Sequence, residues 1–113
     1  MKTSVLRLAV LTFSALFIST YASATPAAEN WENSCASCHG ADGKGQTKQG
    51  KKLKVKDYTD SSALAKFTDE ELAKATANGV TVDGKERMKA FKDELSAEDI
   101  AGLVKYIREF AKK

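Results

Sequence analysis

The chain has 113 residues, room for one domain. Its 18 Lys and Arg against 15 Asp and Glu give a formal charge of +3. That is too small a surplus for a general nucleic-acid binder. Two cysteines and one histidine exclude a disulfide-rich scaffold and a zinc site built from four Cys and His ligands.

The first 24 residues read as a secretory signal peptide. Lys2 and Arg7 form a positive start, residues 8–18 are mostly apolar, and Ala22-Ser23-Ala24 offers small residues at both positions that a signal peptidase reads. The apolar stretch is well short of the ~20 residues that span a bilayer; the alternative is an uncleaved N-terminal anchor. Cleavage after Ala24 leaves a domain of residues 25–113 with sixteen basic and fifteen acidic side chains, a formal +1. A domain this small buries a modest core and gains from a staple. A disulfide between Cys35 and Cys38 would close too short a loop to serve as one.

Three main helices and one short one are expected. Thr25-Pro26 places a cap residue before proline and predicts a helix over 26–35. Residues 40–57, with four glycines and six lysines, read as loop, followed by a short helix over 61–66. Thr68-Asp69-Glu70-Glu71 has the form of a capping box and opens a second helix that Asn78-Gly79 stops. Residues 79–94 read as a second loop, because Val80-Thr81-Val82 is too short to argue a strand. Ser96-Ala97-Glu98-Asp99 opens the third helix, along which Ile100, Leu103, Val104, Ile107 and Phe110 keep the helical period.

The chemistry concentrates in Cys35-Ala36-Ser37-Cys38-His39, a C-x-x-C-H haem-attachment motif. Cysteines three apart share one side of a helical turn, so each thiol can add to one vinyl group of the same haem. His39 follows directly and is placed to bind iron through its imidazole. Its second ring nitrogen is expected to donate to a backbone carbonyl within residues 45–52. Met88 is the one methionine of residues 25–113. Flanked by Arg87 and Lys89, it reads as a thioether ligand from a loop; the alternative is the gap-filling role of a core methionine. The lysines at 44, 48, 51, 52, 54 and 56 read first as a solvated loop and second as a docking patch for an acidic partner.

On these residues the chain resembles the class I c-type cytochromes, small soluble proteins with one haem. Cys38-His39-Gly40-Ala41-Asp42-Gly43-Lys44-Gly45 is similar to that family's stretch after the motif, and Met88-Lys89-Ala90-Phe91 to its Met-Pro-Ala-Phe, without the proline. The resemblance implies an all-α, cytochrome c-like fold: three main helices and long loops wrapped around one haem. The first and last helices would cross near Ala27, Trp31, Leu103 and Tyr106. It implies one covalent haem c on Cys35 and Cys38, with His39 and Met88 as the axial ligands of its iron. It implies a monomeric electron carrier, not an enzyme, exported to a bacterial periplasm. Its partners would be redox proteins, acidic or membrane-bound, with no nucleic acid and no membrane insertion after cleavage. The competing readings are an open-site haem protein, gas-binding or peroxidase-like, with Met88 off the iron, and a haem-free protein-binding module.

Overall fold

A computed structural model describes residues 25–113; the expected signal peptide, residues 1–24, lies outside the described residues. In chain order the elements are α1 (Ala27–Ser34), α2 (Ala36–His39), α3 (Lys48–Leu53), α4 (Ser61–Leu64), α5 (Asp69–Asn78), β1 (Val80–Val82), β2 (Lys85–Met88) and α6 (Ala97–Phe110). The expectation of three main helices joined by long loops is therefore corrected. There are six helices among the described residues, only three of them longer than six residues, and a two-stranded hairpin.

Local chemistry explains the additions. In the lysine-rich segment, the Thr47 hydroxyl accepts from the Gly50 N–H at 2.8 Å and caps α3. The short helix expected over 61–66 forms as α4, where the Asp60 carboxylate accepts from the N–H groups of Ser62 and Ala63 as its cap. The second expected loop carries Asp83-Gly84, with φ of 51° and 73°. Two left-handed residues in sequence make the turn whose twist suits a tight hairpin, and β1 and β2 pair antiparallel across it.

α6 organises the core. Its apolar stripe, Ile100, Leu103, Val104, Ile107 and Phe110, is buried, and burying each such side chain is worth roughly 1.5–3 kcal/mol. α1 and α5 both pack on α6. A Cβ added at Gly102 would sit 3.8 Å from that of Ala27, so a small residue faces a small residue where α1 and α6 meet. Beside that contact the Trp31 ring lies 5.7 Å from Tyr106 and 4.9 Å from Phe110, centroid to centroid. No helix among the described residues is long and apolar enough to cross a membrane.

The helix starts hold by capping boxes. Thr68 and Glu71 exchange side chain-to-backbone bonds at α5, and Ser96 and Asp99 do so at α6. The expected cap at Thr25 does not form. Pro26 takes the cap position without a side-chain bond, and the Thr25 N–H donates instead to Asp99 at 3.0 Å.

Arg108 ties α6 to the α4–α5 corner. Its Nη1 and Nη2 donate to the carbonyls of Leu64 and Phe67, at 2.9 and 2.5 Å, and its Nε to Asp69 at 2.8 Å. Because Asp69 is mostly exposed, the carbonyl bonds dominate. Arg108→Met should cost about 2–3 kcal/mol in chemical denaturation, and Asp69→Asn less than about 1 kcal/mol. Equal losses would show the ion pair to be the main contact. A second expectation concerns acid. The Ser96 N–H, then the Ser96 hydroxyl, hold the Asp99 carboxyl below the usual carboxylate range. A lowered folded value means the stabilisation is complete above the unfolded pKa of ~3.9 and is lost as pH falls through the folded value. Asp99→Asn should flatten the fall in stability below about pH 4 in acid titration followed by circular dichroism.

Candidate functional site

The break between α1 and α2 builds the site. Cys35 leaves the helical path at φ −122° and ψ −37°, and Ala36–His39 restart as a single turn. The turn is held from three directions. The Trp31 indole N–H donates to the Gly40 carbonyl at 2.9 Å in a buried bond. The Thr47 hydroxyl donates to the Cys38 carbonyl at 2.6 Å. The Gly45 N–H donates to the His39 carbonyl at 2.8 Å. α1 and α3 thus set the direction in which the motif side chains project.

They project into a cleft of about 950 Å³, at the upper end of the roughly 300–1,000 Å³ typical of ligand sites. Cys35, Cys38, His39 and Met88 all line it. A smaller cavity of about 30 Å³ adjoins Cys35, His39 and Met88, and Trp31, Thr76, Leu103 and Ile107 help to wall it. Leu72 and Ala75 of α5 form apolar wall shared by both. Lys54, Lys56, Arg87 and Lys89 also line the larger cleft.

Both thiols are free. Burial, with Cys38 beside it, pushes the Cys35 thiol up to about 11. Burial holds the His39 imidazole below its usual range, so at pH 7 the ring is neutral, the form that ligates metal. The Tyr58 ring stacks on His39, 5.1 Å between centroids and 14° between planes. Its phenol is pushed by burial up to about 12 and stays protonated.

The carbonyl expected to receive the His39 Nδ1 proton from residues 45–52 is not in place. Nδ1 is buried without a hydrogen-bond partner. Met88 stands on β2, not in a loop, opposite Val80 of β1. Tyr58, Trp31 and Thr47 are site residues that the sequence reading missed. Thr47 carried a signal as a cap residue; Tyr58 carried none.

The residues fit a haem. Two free thiols three apart, a neutral imidazole next to them and a thioether line one cleft with an apolar wall. No cluster of three or more His, Cys, Asp and Glu side chains among the described residues is arranged to hold a bare ion. A planar macrocycle that brings its own four nitrogens to iron needs only the axial groups from protein.

Trp31 gives the site a direct test. Trp31→Phe keeps an aromatic ring in the core but removes one of the two donors to the Gly40 carbonyl, leaving it only the Gly43 N–H at 3.1 Å. It should lower stability by about 1 kcal/mol, the net worth of one hydrogen bond to a carbonyl that stays partnered. An unchanged denaturation midpoint would show that the bond does not hold the motif.

Residues 22–107 match the family described as cytochrome c oxidase, cbb3-type, subunit III. No curated protein sequence matches the chain. Among solved structures, the KustC0563 c-type cytochrome is 29% identical, with a TM-score of 0.69 over 76% of this chain and 98% of that one. A point mutant of that protein is 29% identical, with a TM-score of 0.68 over 76% and 99% of the two chains. The motif and its cleft agree with that likeness, and the chain belongs to the cytochrome c oxidase, cbb3-type, subunit III family, a family of c-type cytochromes that transfer electrons.

Proposed function

We propose that the chain is a soluble, single-haem electron carrier of the class I kind. One haem c would be bound covalently through Cys35 and Cys38, with His39 and Met88 as axial ligands. The observation that carries this reading is the meeting of the motif side chains with Met88, from a distant strand, in one cleft.

A bound haem supplies one-electron iron chemistry. The chain's own residues hold and shield it. Cys35 and Cys38 fix its edge, and His39 offers a neutral imidazole. Met88 offers a thioether, which favours the reduced metal and raises the potential. With His39 and Met88 both holding the iron, no position would be left for a substrate, and the protein would act as a carrier and not as an enzyme. Leu72, Ala75 and Phe91 keep water from the floor of the cleft.

The cations that line the cleft, Lys54, Lys56, Arg87 and Lys89, suit redox partner proteins with acidic faces. Membrane-bound partners fit as well, since the family is described as an oxidase subunit. The reading places the mature protein, residues 25–113, in a bacterial periplasm after removal of the signal peptide, as a monomer without nucleic-acid partners.

Exported protein should give one haem per chain in a pyridine haemochrome assay, and none when Cys35 and Cys38 are both Ser. Met88→Ala should lower the midpoint potential by on the order of 100 mV, within the ~0.8 V range that axial ligands control. It should also abolish the far-red sulfur-to-iron band of the oxidised protein. A high-spin, five-coordinate spectrum in the unmodified protein would overturn Met88 as ligand and favour an open-site haem protein.

A further inference from the structure

Met88 lies outside the haem motif, and no proline follows it to stiffen the chain. Its position is nevertheless fixed by backbone on both sides. Ahead of it, β1 and β2 pair Val80 with Met88, Thr81 with Glu86 and Val82 with Lys85. Arg87 is thereby left as the extra residue of a bulge, which bends a strand and re-aims the side chains beside it. Behind it, the Phe91 and Lys92 N–H groups donate to the carbonyls of Thr76 and Ala77, each at 3.1 Å. The chain leaving Met88 is laced to the last turn of α5.

Between these anchors lies Gly79, the residue that closes α5. Its φ of 76° and ψ of −178° fall in a region essentially restricted to glycine. A Cβ there would stand 2.5 Å from the Met88 carbonyl oxygen and 2.9 Å from both the Lys89 carbonyl carbon and the Ala90 nitrogen. The backbone of residues 88–90 therefore rests directly on the helix end, at a distance that any side chain would enlarge.

We propose that Gly79, together with the Asp83-Gly84 turn, is the positioning element for the Met88 thioether. The bare helix end sets the depth at which β2 enters the cleft, and the left-handed turn sets the register that delivers Met88, not Arg87 or Lys89, at that depth. The inference rests on the reading of Met88 as an iron ligand. It assigns the stiffness that a proline would give to two glycines, one at the end of α5 and one in the hairpin turn.

The test uses the haem-loaded protein. Gly79→Ala should keep one haem per chain and unchanged far-UV helicity. It should lose at least half of the far-red sulfur-to-iron band, lower the midpoint potential, and bind cyanide about tenfold faster at pH 7, the result of a tenfold larger population with the thioether off the metal. Gly84→Ala is the second variant, for which folding is not at risk: no atom lies within 4 Å of a Cβ there, and only its φ of 73° is opposed. It should shift the same three readouts in the same direction by a smaller amount. An unchanged band, potential and cyanide rate in either variant, while Met88→Ala abolishes the band, would overturn the positioning role and leave the ligand reading intact. Absence of the band from the unmodified protein would overturn both.

Discussion

The hydrogen bond from the Trp31 indole to the Gly40 carbonyl joins the two halves of the structure on which the cleft depends. On one side of it is the α1–α6 contact, where Ala27 meets Gly102 and the indole reaches Tyr106 and Phe110. On the other is the turn that presents Cys35, Cys38 and His39. A tryptophan suits this position because it fills a helix crossing with apolar area and still carries one polar hydrogen for a buried acceptor. Phenylalanine supplies only the first of these and leucine neither the ring nor the donor.

The cleft combines opposite environments within one wall. Its floor is apolar, with Leu72 and Phe91 buried and the His39 ring lying against Tyr58. Its lining also includes the cations Lys54, Lys56, Arg87 and Lys89 alongside Glu71, Asp83 and Glu86. Charge at the rim acts over about a Debye length and is weakened by salt, whereas the low polarity of the floor acts on whatever is enclosed and is insensitive to salt. Two of the cations are engaged in the wall itself: Lys56 lies 5.5 Å over the Phe67 ring and Lys89 4.8 Å over that of Phe91. In both the ammonium itself sits over the ring face, drawn by the ring's quadrupole.

What could be read from the sequence was what is encoded locally. The Cys35-Cys38-His39 spacing, the Thr68–Glu71 box, and the stripe from Ile100 to Phe110 each fit within a few turns of chain, and each forms. The short α3 was hidden because the lysines around it suggested solvent-exposed loop, although Thr47 is a sound cap. The hairpin was hidden although Asp83-Gly84 is a strong turn signal, because strands of three and four residues are too short to show alternation. Tyr58 and Arg108 could not be read locally at all. Tyr58 reaches His39 because its N–H is held by the Gly43 carbonyl, and Arg108 closes on carbonyls 41 and 44 residues earlier. The missing partner of His39 Nδ1 is of the same kind: which carbonyl reaches a buried ring is decided by the meeting of distant segments.

The pairing of α1 with α6 has a consequence for the order in which the molecule can be made. The thiols, the imidazole and the thioether are all present once synthesis has passed residue 88. The wall behind them is not, because Leu103 and Ile107 arrive only with α6. Until then Trp31 lacks two of its ring neighbours, Tyr106 and Phe110. A growing chain therefore carries every reactive group of the site for some time without the enclosure around them. Domains generally fold as units, and among the described helices α6 is the one that closes on α1.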